Sequence, residues 1–134
     1  GHWLAYTSDA SGAQEIYLQR LEDMRPVGGA QRVSNGGGQQ PQWRRDGAEL
    51  FFVSDQGLMA VDTRLDQDLP AGVPHRLFQL DDPERPGDQL RGGDRNRYAV
   101  APDGQRFLVR VPEHTPGVGS AVIILDWAAG LDLN

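Results

Sequence analysis

Gln40-Pro41-Gln42-Trp43-Arg44-Arg45-Asp46-Gly47-Ala48-Glu49-Leu50-Phe51-Phe52-Val53-Ser54-Asp55 reads as strand, tight turn, strand. Asp46-Gly47 signals a hairpin, because a two-residue type I′ turn needs φ > 0 at both central positions and Asp and Gly reach that region with little strain. Pro41 lacks a backbone donor and suits the first residue of a strand. Leu50 to Val53 is a short apolar run bounded by turn residues, as expected of a strand buried on both faces.

Outward from this hairpin the pattern recurs. Leu4-Ala5-Tyr6-Thr7-Ser8-Asp9 matches Leu50-Phe51-Phe52-Val53-Ser54-Asp55, 46 positions later. Asp46-Gly47 returns as Asp103-Gly104, 57 positions later, the excess being an irregular Pro-, Gly-, Asp- and Arg-rich insertion over 81–96. Further β-prone runs are Glu15–Leu18, a polar Ala30–Ser34, Leu58–Val61, an edge-type Val73–Phe78, Arg106–Val111 and the apolar Ser120–Trp127. Leu21–Gly29 reads as a turn and Asn35-Gly36-Gly37-Gly38 as a flexible crossing. No stretch keeps a helical period. Four strands in about 40–45 residues is the unit of a β-propeller blade. The expected fold is therefore all-β: a partial β-propeller of about three four-stranded antiparallel blades, with ten strands in all. Blade one (about 3–34) lacks its opening strand, blade two spans about 40–78, and blade three (about 97–127) lacks its closing strand. Closed propellers usually have four to eight blades. Either the chain is part of a larger propeller, or copies associate to complete a ring.

The 134 residues carry a formal charge of −6, with 38% hydrophobic and 24% charged residues, 17 Gly, 9 Pro and no Cys. This is one domain's worth of a foldable, turn-rich chain. An acidic balance disfavours phosphate backbones, so no nucleic-acid partner is expected; Arg91, Arg95 and Arg97 are interrupted by Asp94 and preceded by Asp88. Disulfides and thiolate metal sites are excluded. The apolar runs are too short to cross a bilayer. Gly1-His2 reads as a cloning scar, because the chain starts inside a strand pattern. Localisation is left open by the residues.

Three groups of residues carry a resemblance. They are Trp3-Leu4-Ala5-Tyr6-Thr7-Ser8-Asp9 with Ser11-Gly12 and Glu15-Ile16-Tyr17; Gly36-Gly37-Gly38 with Pro41-Gln42-Trp43, Asp46-Gly47 and Glu49-Leu50-Phe51-Phe52; and Asn96-Arg97-Tyr98 with Pro102-Asp103-Gly104-Gln105-Arg106-Phe107-Leu108-Val109. In order and spacing they resemble the TolB-type (PD40, WD40-like) repeat of six-bladed bacterial propellers. The ending Val122–Leu131 is similar to that of a bacterial subgroup in which the propeller follows a serine/threonine kinase domain or a membrane anchor. The chain departs from the family before Asp-Gly, where Arg44-Arg45 and Ala101-Pro102 replace Ser-Pro or Ser-Arg. The resemblance implies a non-catalytic platform for a protein or peptide, no cofactor, and an extracytoplasmic or periplasmic setting. The alternative it implies is an accessory or gating propeller of a larger enzyme, a prolyl-oligopeptidase-type peptidase or a propeller-fused kinase.

Sites of chemistry are sparse. Gly117-Val118-Gly119-Ser120-Ala121 is not a nucleophile elbow. His75 and His114 lack sequence-near ligand partners. Asp81, Asp82, Glu84 and Asp88 are the sole support for a sugar- or ion-binding alternative, and their spacing does not match a calcium loop. Gly36-Gly37-Gly38 could approach a phosphate, but no helix follows. No metal is expected. In a propeller the loops 9–14, 35–40, 54–57, 85–96 and 112–119 gather on one face, and loops on a rigid scaffold carry binding. The expected contact residues are Asp9, Gln39, Gln40, Asp55, Arg91, Arg95, Asn96 and His114, with Trp43 on the opening strand of its blade.

Overall fold

The computed structural model describes residues 2–64, 71–79, 98–111 and 121–126. They form ten strands: β1 (His2–Ser8), β2 (Glu15–Glu22), β3 (Arg25–Arg32), β4 (Gln39–Trp43), β5 (Glu49–Ser54), β6 (Gly57–Asp62), β7 (His75–Phe78), β8 (Tyr98–Val100), β9 (Arg106–Val111) and β10 (Ala121–Asp126). No helix occurs among the described residues. The strands make three antiparallel meanders, β1-β2-β3, β4-β5-β6-β7 and β8-β9-β10. The chain divides into two compact units, residues 1–79 with the first two sheets and residues 80–134 with the third. His2 belongs to β1, pairing with Leu21.

In the first unit the two sheets share a core. Ile16 and Leu18 of β2, with Val33, meet Leu50 and Phe52 of β5 and Met59 and Val61 of β6. Trp3, Ala5, Trp43 and Ala71 pack around them. Alternate side chains of a strand point to opposite faces, so Ile16 and Leu18 mark one face of the first sheet and Leu50 and Phe52 one face of the second. Phe51, Val53, Leu58 and Ala60, on the other face of the second sheet, are also buried. The run Leu50–Val53 is thus covered on both faces, as its unbroken apolarity requires. Each such Leu or Phe side chain contributes roughly 1.5–3 kcal/mol on burial. The polar strands β3 and β7 lie at sheet edges, and β3 is exposed along most of its length.

The Asp46-Gly47 turn differs from expectation. Gly47 N–H donates to Arg44 O and Arg44 N–H donates to Glu49 O, both at 2.9 Å. Gly47 has φ of +75°, but Asp46 stays out of the left-handed region. The loop is therefore four residues built on a type I turn, not a two-residue type I′ turn. Asp46 Oδ1 accepts from Ala48 N–H at 3.0 Å, a bond the shorter loop would not provide. The same geometry returns in the second unit. Gly104 N–H donates to Ala101 O and Ala101 N–H to Arg106 O, both at 2.9 Å, while Asp103 Oδ1 accepts from Gln105 N–H at 2.9 Å. The recurrence read from Asp-Gly in the sequence is thus a recurrence of hydrogen bonds.

Leu21–Gly29 is not a turn. β2 and β3 run through it to a two-residue turn at Asp23-Met24, flanked by the pair Glu22 and Arg25. Both turn residues have positive φ, 48° and 61°, as a type I′ turn demands although neither is Gly. The Gly pair serves a bulge instead. Register slips between Leu18 and Arg20, and Gln19 Nε2 donates to Val27 O at 3.0 Å and to Gly28 O at 3.5 Å. A buried amide thus satisfies the carbonyls that the bulge removes from the ladder.

Candidate functional site

The antiparallel register decides which expected contact residues meet. Gln39 pairs with Val53, and Ser54 pairs with Gly57, so Gln39, Gln40 and the Asp55-Gln56 turn share one end of the second sheet. The first sheet brings its β1–β2 loop to the same end. Gly38 N–H donates to Gln14 O at 2.9 Å, tying the base of that loop to the start of β4. Asp9 and Asp55 stand at equivalent places in their loops. Ser8 Oγ accepts from Ala10 N–H at 3.2 Å, and Ser54 Oγ accepts from Gln56 N–H at 3.1 Å. Each serine bends the chain so that the aspartate between is exposed.

Gln39 and Gln40 are half-buried. Gln40 has φ of +53° at a register shift between Gln39 and Gln42. Such a backbone is uncommon for a non-glycine residue, and more so before proline. The bulge carries Gln40-Pro41 out of the ladder at the mouth of the loops.

Trp43 stands apart. It pairs with Leu50 at the opposite end of β4 and packs against the core shared by the two sheets. It is half-buried and lies at the end of β4 away from Asp9 and Asp55. Arg91, Arg95, Asn96 and His114 lie outside the described residues, as does the 81–96 insertion with Asp81, Asp82, Glu84 and Asp88.

The brace beneath these loops is built around Glu15. Glu15 is 4% exposed. Ser34 Oγ donates to Glu15 Oε2, and Gly36 and Gly37 N–H groups donate to Oε1 at 3.2 Å each. Ser34 Oγ also accepts from Ile16 N–H at 2.7 Å. Successive backbone N–H groups make a cradle for an anion, and here the anion is the protein's own carboxylate. Gly38 completes it: a Cβ there would fall 2.7 Å from Ile16 Cγ1 and 2.9 Å from Ser34 Oγ. Asn35–Gly38 is therefore not a flexible crossing but a fixed one. The phosphate role open to this glycine run is filled from within.

The other end of the second sheet is held differently. Thr63 Oγ1 donates to Gly47 O at 2.5 Å and Thr63 N–H to Ala48 O at 2.9 Å. Arg44 reaches Asp46 at 2.6 Å and Glu49 at 3.7 Å. The Ala48 N–H, then the Arg44 guanidinium, hold the Asp46 carboxyl below the ordinary aspartate range. Asp103 is lowered in the same way, first by the Gln105 N–H and then by the charge of Arg106.

Among the described residues no three His, Asp or Glu side chains are grouped to hold a metal ion, and no helix is long and apolar enough to cross a membrane. The chain matches no model of a known protein family and no curated protein sequence.

Proposed function

We propose that this chain is a non-catalytic β-propeller segment of TolB-like type that binds a protein or peptide through the end carrying Asp9, Gln39, Gln40 and Asp55. The observation that carries the reading is the pair of exposed carboxylates held at equivalent serine-bent turns of successive sheets, above a crossing fixed by Glu15. Rigid loops lose little entropy on binding, and carboxylates beside side-chain amides suit a partner offering cationic or N–H groups. The meander of each sheet and the recurring Asp-Gly turn support the propeller part of the proposal.

The test is a panel of random peptides displayed on phage and selected on the immobilised chain. Enriched peptides should bind the parent and lose most of their affinity when Asp9 and Asp55 are both changed to Ala, with the melting temperature unmoved. No enrichment, or peptides indifferent to the double change, would overturn the reading.

A further inference from the structure

The repeat assigns an equivalent position in the second sheet to each of several residues in the first. Leu4 and Tyr6 of β1 correspond to Leu50 and Phe52 of β5. The cross-strand pair Tyr6–Tyr17 corresponds to Phe52–Met59. In the second sheet this face receives Ile16 and Leu18 of its neighbour, and Leu50 and Phe52 are 0% and 1% exposed. In the first sheet the same face is open at Leu4, Tyr6 and Tyr17, while Gln19, opposite Leu4, and Glu15 are buried on it. Leu4 is 46% exposed, and Tyr6 and Tyr17, stacked at 5.8 Å, are half-buried.

The third sheet shows the converse. By the Asp-Gly alignment Leu50 corresponds to Phe107, Phe51 to Leu108 and Phe52 to Val109. Phe107 and Val109 are buried, like Leu50 and Phe52. Leu108 is 43% exposed, whereas Phe51 is 0% exposed. Ala99, directly opposite Leu108, is exposed as well, and a shallow apolar depression runs along Ala99, Ala101 and Leu108.

Among the described residues the chain thus presents two partly open faces that are unlike. The Leu108 face is the counterpart of the Ala5, Ile16 and Leu18 face. The Leu4 face is the counterpart of the surface that Ala5, Ile16 and Leu18 cover. We infer that a second copy of this chain docks head to tail, seating its Leu108–Ala99 face on the Leu4–Tyr6–Tyr17 face of the first. The occupant follows from the match: the first unit already displays this contact between neighbouring sheets, and the chain offers both halves of another. The contact is heterologous, so it closes a ring or runs on as a filament according to the rotation it imposes. The inference rests on the proposed reading of each sheet as a propeller blade.

The chain has no native cysteine, so single cysteines report without ambiguity. Packed sheets lie about 10 Å apart, beyond the reach of a disulfide, and a bismaleimide of about that span is the suitable probe. Mixed Leu4→Cys and Leu108→Cys chains should give cross-linked product pairing one of each. Dominant Leu4-to-Leu4 product would mean a two-fold contact and overturn the head-to-tail arrangement. No product, with a concentration-independent monomer in sedimentation, would overturn the second copy as occupant.

Charge variants supply an independent check. Leu4→Glu and Leu108→Glu, both at partly exposed positions, should each weaken association by on the order of tenfold or more. Mixing the two should restore a dimer, because each retains the face the other lacks; no restoration would count against the inference. Peptide capture by the Asp9–Asp55 end separates this test from the reading beneath it. A parent chain that captures peptides but does not associate overturns the interface alone. A parent chain that associates but captures none overturns the proposed function instead.

Discussion

Met24 occupies the second central position of the β2–β3 turn with φ of +61°, and it is 79% exposed. An L side chain in that region meets its own backbone, and glycine does not. Met24→Gly should therefore raise stability by about 1 kcal/mol, seen as a higher denaturant midpoint at unchanged m-value. Asp46 and Asp103 argue a second case. Both carboxyls titrate lower in the folded chain than their ordinary range, each held first by a backbone N–H and then by an arginine. A depressed folded pKa gives a contribution that is whole above the unfolded value and lost as pH falls through the folded one. Acid unfolding should thus sharpen below about pH 4, and Asp46→Asn with Asp103→Asn should flatten that limb of the stability profile while leaving neutral pH little changed in shape. A profile of the same slope in the double variant would refute the assignment.

The crossing between the first two sheets depends on Glu15 and Gly38 together. Glu15→Ala removes the acceptor of Ser34 Oγ and of the Gly36 and Gly37 N–H groups. Leaving the buried Ser34 hydroxyl unmatched should cost about 1–3 kcal/mol, and Glu15→Gln, which keeps one acceptor oxygen, should cost less. Gly38→Ala should cost about 1–3 kcal/mol, because the added methyl meets Ile16 and Ser34. Gly29→Ala is the contrast: no atom lies within 4 Å and φ is ordinary, so stability should be unchanged or slightly raised. Equal losses at the two glycines would show that the crossing is not fixed by close approach. How far such elements are legible in the sequence follows from the range of the forces involved. Leu50–Val53 declares its burial by local apolarity, and Asp46-Gly47 declares a turn. The class of that turn is set by where Arg44 meets Glu49 across the ladder, which local chemistry does not specify. Leu21–Gly29 looks like a loop because Glu22, Asp23, Pro26 and the Gly pair are polar or flexible; the ladder between β2 and β3 overrides them. Glu15 is the least legible. A glutamate at a strand start looks solvated, and the Ser34 and glycine donors that bury it lie 19 or more residues away. Gln39, Gln40 and Asp55 can be placed together because antiparallel register follows from turn positions. Trp43 cannot, since a strand places its two ends far apart and residue type does not say which end matters.

For the whole molecule, the proposed face-to-face docking predicts the behaviour in solution. Leu4 and Leu108 should make sedimentation depend on concentration, whereas the Asp9 and Asp55 end should not. A weakening of association by urea well below the unfolding midpoint, with the far-ultraviolet spectrum unchanged, is the expected signature of face-to-face apolar contact. The bulge at Gly28 governs the remaining margin. With Gln19 turned inward to serve the displaced carbonyls, β3, an edge strand of the first sheet, presents a kinked border to any extended segment that approaches it. Growth by lateral knitting, the route to insoluble fibres, is hindered along that edge of the first sheet.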